Sequence, residues 1–194
     1  MIAALLLAAG ASRRFGAPKL LQALNGKQVV RWSAESLVGV ADELVIVVPP
    51  DNAALRQALE GIAARFVVNT LPHEGMASSL ARGVATLAES TEAVLVALGD
   101  EPLLPKRCHE RVLVRYRASG TAVVAATYGG TRGHPVLFGR PVFAELRALT
   151  GDSGARSVVD ADPGRVALVE MDEAHPIDVD TPEDLARVSR GAQL

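Results

Sequence analysis

The segment Ile2-Ala3-Ala4-Leu5-Leu6-Leu7-Ala8-Ala9-Gly10-Ala11-Ser12-Arg13-Arg14-Phe15-Gly16-Ala17-Pro18-Lys19 decides the fold. Its apolar run, Ile2 to Leu7, reads as a strand buried on both faces. The strand empties into small residues, Ala8 to Ser12, whose backbone N–H groups can approach an anion closely. Arg13 and Lys19 add the full charges that suit a triphosphate. Spacing excludes two familiar phosphate loops. A dinucleotide fingerprint needs G-x-G-x-x-G, whereas Gly10 is followed by Ala11 and Ser12, with the next glycine at Gly16. A Walker loop needs Gly-Lys-Ser/Thr, whereas Lys19 lies between Pro18 and Leu20.

Met1 to Ala11 is also apolar and ends in small residues, as a secretory leader does. No positive charge precedes it, the run is short for a spanning helix, and the arginine pair lies on its C-terminal side. The expectation is therefore a cytoplasmic chain with no membrane partner. With 194 residues, 49% of them hydrophobic, residues 1–194 suit a single domain with a sizeable core. A formal net charge of −2 gives no general attraction to nucleic acid, so the local charge at Arg13 and Lys19 points to a small anion. Cys108 is the sole cysteine, which excludes an intramolecular disulfide and any cysteine-rich zinc or iron–sulfur site. It is expected to be an inert, partly buried thiol on the helix after Pro105.

Short valine-rich runs alternate with longer segments of helical period, the pattern of an α/β, doubly wound, mainly parallel sheet. The expected strands are residues 2–7, 43–48, 65–69, 93–98, 122–127 and 166–170. Val30, Ala34, Leu37 and Val38 share a helical face before Gly39. Asp51 or Asn52 can cap a helix running to about Leu59, and Ser78 or Ser79 one running to about Ala88. Between Tyr128 and Phe138 the helical period disappears. Gly129-Gly130 and Gly133 there suggest a hairpin or small β excursion before a helix over 141–149.

Ligands of such sheets bind at the carboxyl ends of the strands. The residues there are the anion loop, Asn69 leading to Gly75-Met76-Ala77-Ser78-Ser79, Gly99-Asp100-Glu101-Pro102, and Asp178-Val179-Asp180-Thr181-Pro182. Asp100 and Asp180 are hard oxygen ligands suited to Mg²⁺ against a triphosphate. Thr181, Pro182 and Asp184 read as N-cap, N1 and N3 of a capping box, which leaves Asp180 outside the helix.

These segments, together with Arg132-Gly133-His134-Pro135-Val136-Leu137-Phe138 and Gly151-Asp152-Ser153-Gly154-Ala155-Arg156, closely resemble the molybdenum cofactor cytidylyltransferases. Those belong to a wider group of nucleotidyltransferases with a Rossmann-like fold. The resemblance spans nearly the whole chain, six family-like segments occurring in order. It implies that Ala8, Ala9 and Gly10 face base and ribose, that Arg13 and Lys19 bind phosphates, that Ser79 lies near the base, and that Asp100 with Asp180 holds magnesium. Leu7, Ser12 and Gly75 fall in the same nucleotide-binding set, and Arg13, Lys19 and Asp100 in the catalytic one. Gly133, His134, Pro135, Asp152 and Arg156 are the expected acceptor-binding residues, although His134 could instead shape a turn and the 151–156 segment could be a ligand-free loop. Glu101 departs from the family, which usually has glutamine there, and adds a carboxylate beside the expected metal.

The activity implied is Mg²⁺-dependent transfer of CMP from CTP to the phosphate of molybdopterin carrying molybdenum, releasing pyrophosphate. A molybdoenzyme receiving the cytosine dinucleotide cofactor is a further implied partner. Ala8-Ala9 carries the choice of base, because guanylyltransferase relatives tend to have glycine there and two methyl groups narrow the slot. The alternatives are another phosphorylated acceptor, such as a sugar or small alcohol phosphate, the use of GTP, and a nucleotide-binding regulator without turnover. An oxidoreductase would need a dinucleotide fingerprint that the chain lacks.

Overall fold

A computed structural model describes residues 1–10, 12, 14–151 and 154–191. The apolar run at the N-terminus forms strand β1 (Ile2–Leu7), every residue of it buried. A strand with no exposed face must lie inside a sheet covered on both sides, and β1 does. It pairs in parallel with β4 (Glu43–Val48) on one side and β6 (Ala93–Leu98) on the other. β5 (Arg65–Val68) extends the sheet beyond β4. A two-stranded ribbon, β2 (Ala23–Leu24) with β3 (Lys27–Gln28), lies apart from the sheet. Beyond β6 come β8 (Thr131–Gly139), β7 (Val123–Tyr128) and β9 (Val166–Met171), giving the order β5-β4-β1-β6-β8-β7-β9.

The helices follow in chain order: α1 (Val29–Leu37), α2 (Ala53–Ala58), α3 (Met76–Ala85), α4 (Lys106–Ser119), α5 (Phe143–Arg147), α6 (Arg156–Asp160) and α7 (Pro182–Gly191). Alternation along β1 separates two cores. Ala4, Leu6 and Ala8 face α1, α2, α4 and α7, whereas Ala3, Leu5, Leu7 and Ala9 face α3, α5 and α6. This is the doubly wound α/β arrangement. Among the described residues no helix is long and apolar enough to cross a membrane.

Three expectations change. The segment after Gly129-Gly130 is no excursion: β8 is a strand of the main sheet, antiparallel to both β6 and β7. The glycine pair makes the hairpin turn, with φ of 56° and 79°, and β8 then fills the gap between two strands that are parallel to each other. Helix α3 starts at Met76, so Ser78 and Ser79 lie inside it. Gly75, at φ 92°, turns the chain into the helix ahead of them, in a conformation that a side chain would strain. Val38 falls outside α1 and is 47% exposed, because the helix has already ended at Leu37. The Thr181–Asp184 capping box forms as read: Asp184 N–H donates to Thr181 Oγ1 at 3.2 Å, and Thr181 N–H to Asp184 Oδ2 at 2.9 Å. Cys108 is fully buried, and that burial pushes its thiol up to about 12, which makes it inert at neutral pH.

Helix α3 reaches the sheet closely because residue 83 is glycine. A Cβ there would lie 2.6 and 2.8 Å from the Leu5 methyls and 3.0 Å from Val47 Cγ2, all in fully buried side chains. Gly83→Val should therefore lose more to overpacking than it gains in helix propensity, for a net destabilisation of about 2–3 kcal/mol. A urea unfolding curve with an unchanged slope and a lowered midpoint is the expected result.

Candidate functional site

The site is assembled by backbone ties at the carboxyl end of the sheet. Gly99 N–H donates to Leu7 O at 2.9 Å, continuing the β1–β6 pairing by one residue. A Cβ on Gly99 would stand 3.1 Å from that same oxygen. Asp100 follows, and its carbonyl accepts from Val179 N–H at 2.9 Å. This one bond lays the segment before α7 against the end of β6. Val179 is completely buried, so in the extended stretch Asp178-Val179-Asp180 the two alternate residues both turn to the cleft. Asp184 steadies the arrangement by accepting from Asp180 N–H at 3.3 Å as well as from Thr181.

Lys19 closes the cluster. Its backbone N–H donates to Ser12 Oγ at 3.2 Å, and Leu20 beside it is buried, so its backbone is held on both sides. Nζ donates to Asp100 Oδ2 at 2.6 Å and to Asp180 Oδ1 at 2.7 Å, and Arg14 meets Asp180 Oδ2 at 2.8 Å. Burial works against the charge on Lys19, but the two carboxylates outweigh it and hold its pKa above the ordinary value. The Asp178 pKa is raised too, to about 7, by partial desolvation and by repulsion from Glu101 and Asp100, which for a carboxyl group disfavours the charged form. Since Asp178 opens onto the cleft, its desolvation is incomplete, and the neighbouring carboxylates carry the direction.

The cleft they border has a volume of about 540 Å³. It is lined by Leu7, Ala9, Gly10, Ser12 and Lys19 from the anion loop, Gly75 and Ser79 from the start of α3, and Asp100 and Asp180. Asn69 fixes the α3 side. It is almost fully buried, and its Nδ2 donates to Ser78 Oγ at 2.9 Å and Ser79 Oγ at 3.0 Å. Ala8 lies on the opposite face of β1 and lines a neighbouring cavity with Ala17, Pro18 and Pro49. Arg13, expected at the phosphates, falls outside the described residues.

A second cavity, of about 750 Å³, shares Leu7 and Met76 with the first and is lined by Gly133, His134 and Arg156. Its form comes from a bulge in β8. Ala125 pairs with Val136 and Ala126 with Gly133, which leaves His134 and Pro135 as extra residues outside the ladder. Proline cannot donate to a ladder, so a bulge is where this strand can hold it. Gly133 is needed beside it, because a Cβ would lie 3.0 Å from His175 Nε2 and 3.1 Å from the Tyr128 ring. Pro135 is buried behind the bulge and does not line the cavity, a correction to the expected acceptor set. Asp152 lies outside the described residues.

Sequence reasoning left out Arg14, Met76 and Asp178. The period-two spacing around the apolar Val179 was a usable signal for Asp178. Nothing in the sequence separates the two arginines or marks Met76 as the wall between two cavities. Glu101 does not join the Lys19 cluster as expected. It is 4% exposed and turns towards His134, whose Nδ1 lies 3.4 Å from Glu101 Oε1.

Comparison with known proteins finds relatives across most of the chain. Residues 4–166 match the MobA-like NTP transferase domain. A probable molybdenum cofactor guanylyltransferase of Thermococcus gammatolerans is 34% identical over 116 residues, which span 59% of this chain and 56% of that protein. The purine catabolism protein PucB of Bacillus subtilis is 29% identical over 95% of this chain and 94% of its own length. A crystal structure of Rv0371c from Mycobacterium tuberculosis in complex with manganese superposes with a TM-score of 0.84 at 28% identity, covering 97% of this chain and 98% of that one. The matched residues include most of β1 with its anion loop, Asp100 and His134, and on that match the chain belongs to the MobA-like NTP transferase family and is a nucleotidyltransferase.

Proposed function

We propose that this nucleotidyltransferase moves CMP from CTP to the phosphate of a molybdopterin-type cofactor, with Mg²⁺ held at Asp100 and Asp180. The observation that carries the reading is the convergence of both carboxylates on the single Lys19 ammonium, at 2.6 and 2.7 Å, beside the anion loop. Oxygens that share one nitrogen in this way share one cation-sized point, and both are hard donors, so the residues fit a divalent ion. Among the described residues no group of three or more His, Cys, Asp or Glu could hold a metal. Two carboxylates completed by substrate phosphates is the usual magnesium arrangement. Bound there, the ion would neutralise phosphate charge as a Lewis acid.

An oxygen of the acceptor phosphate forms a bond to the α-phosphorus of CTP. The bond between the α-phosphorus and the bridging oxygen breaks, and its electron pair leaves on pyrophosphate. A phosphate monoester has a second pKa of about 6, so near neutral pH it needs no general base. The residues' work is therefore positioning and charge neutralisation. Lys19 and Arg14 stand where the triphosphate would enter, Arg13 is assigned the same role from its place in the loop, and Ser12 and Gly10 offer backbone to the phosphates. The second cavity, entered past Leu7 and Met76, suits the acceptor. The molybdopterin acceptor is supported by the name of the Thermococcus relative, and the divalent ion by the manganese in the Rv0371c complex.

Two readings of the base rest on different observations. Names among the relatives favour GTP. The small-residue wall favours CTP, and the fold narrows that argument to one methyl: Ala9 lines the cleft, whereas Ala8 faces the other side of β1.

Lys19→Ala should keep its circular dichroism spectrum and lose about 10²–10³ in turnover, read as pyrophosphate release. Asp180→Asn should shift the magnesium titration to higher concentration, and a curve superimposable on wild type would remove Asp180 from the metal site. In competition under limiting acceptor, CTP should win by about ten- to a hundredfold. Ala9→Gly should erode that advantage and Ala8→Gly should leave it. Preference for GTP in the wild type would replace the cytidylyl reading and leave the transferase reading standing.

A further inference from the structure

Glu101 is a buried carboxylate at the strand ends that the Lys19 cluster does not use. Its side chain is buried, its Oε1 lies 3.4 Å from His134 Nδ1, and its Oε2 is buried with no hydrogen-bond partner among the described residues. A carboxylate so enclosed is costly unless a cation lies against it. His134 is held from behind, because the Tyr128 hydroxyl donates to its carbonyl at 2.5 Å, and the β8 bulge lifts its ring out of the ladder into the second cavity. With Nδ1 turned to Glu101, Nε2 is the ring nitrogen left for a ligand.

We infer that Glu101 is a positioning residue that fixes His134 as an imidazolium, with its Nε2–H donating to the phosphate of the acceptor. This rests on the reading of a phosphorylated acceptor given above. It answers a need of that chemistry: an anionic acceptor must approach a triphosphate past Asp100, Asp178 and Asp180, and the cations of the first cleft face the nucleotide. In the second cavity Arg132 is already paired with Asp160 at 2.6 Å, so its charge is partly spent within the protein. His134 faces Glu101, Asp178 and Asp100 from the strand-end segments, His109 from α4, Tyr128 and Arg132 from its own hairpin, and His175 across Gly133. Burial opposes the charge. Glu101, Asp178 and Asp100 outweigh it and hold the imidazole above its usual range.

The test uses the intact chain, with the His134 Cε1–H resonance assigned from a His134→Asn variant. Glu101→Gln, nearly isosteric and checked for folding by circular dichroism, should lower the His134 pKa by about one unit or more. Inorganic phosphate should shift the His134 resonance in the wild type near pH 7.5, and the shift should be much weaker in Glu101→Gln. In turnover assays Glu101→Gln should raise the acceptor KM by about tenfold or more and leave the CTP KM within about twofold. Lowering the pH from about 7.5 to about 6 should rescue most of that loss, since His134 then recovers its proton without Glu101. An unchanged His134 pKa, or a loss equal at both pH values, would overturn the inference. If the wild type shows no acceptor-dependent pyrophosphate release at all, the functional reading fails, and the phosphate titration of His134 still decides the inference by itself.

Discussion

Everything at the mouth of the sheet depends on one ammonium shared by two carboxylates. Without Lys19, Asp100 and Asp180 would face each other across a small gap, where like charges at roughly 5 Å repel by about 3 kcal/mol even with an effective dielectric of about 20. Lys19 is itself 8% exposed and would be costly to bury alone. With Arg14 on the far oxygen of Asp180, two positive and two negative groups close the account locally. The ion pairs join residues 19, 100 and 180, so they link the anion loop, the end of β6 and the lead into α7.

That linkage is built on backbone geometry. Gly99 lets β6 run one residue further against β1, and Val179 N–H then finds Asp100 O. A buried Val179 fixes the register of Asp178 and Asp180, in the same way that a buried residue fixes the face of a strand. The capping box of α7 holds the other end of this short segment. Each tie is a common local device, and together they turn carboxylates from distant parts of the chain into one cation-binding pair.

The two cavities share Leu7 and Met76 in their linings. The first has its carboxylates and cations in contact with one another. The second presents His134 and Arg156 on the far side of the bulge. Under the proposed reaction between two anions, this division would let charge be neutralised separately around each reactant. Glu101, buried beside His134, does not line the first cavity, although it repels Asp178 at that cavity's edge.

By itself the sequence determined the two-sided burial of β1, the alternation of strands and helices, the anion loop, the capping box and the membership of Lys19, Asp100 and Asp180 in one site. Those are encoded locally, as apolar runs, small residues and charged residues at strand ends, and a doubly wound sheet brings strand ends together by its topology alone. Only the tertiary structure decided that β8 enters the main sheet, because hydrogen-bond pairing between distant strands leaves no local pattern in Thr131 to Gly139. It also separated Ala8 from Ala9, and it turned Glu101 away from the Lys19 cluster towards His134. A side chain's type is written in the sequence, but which of two neighbouring charges it meets depends on packing between elements that lie far apart in the chain.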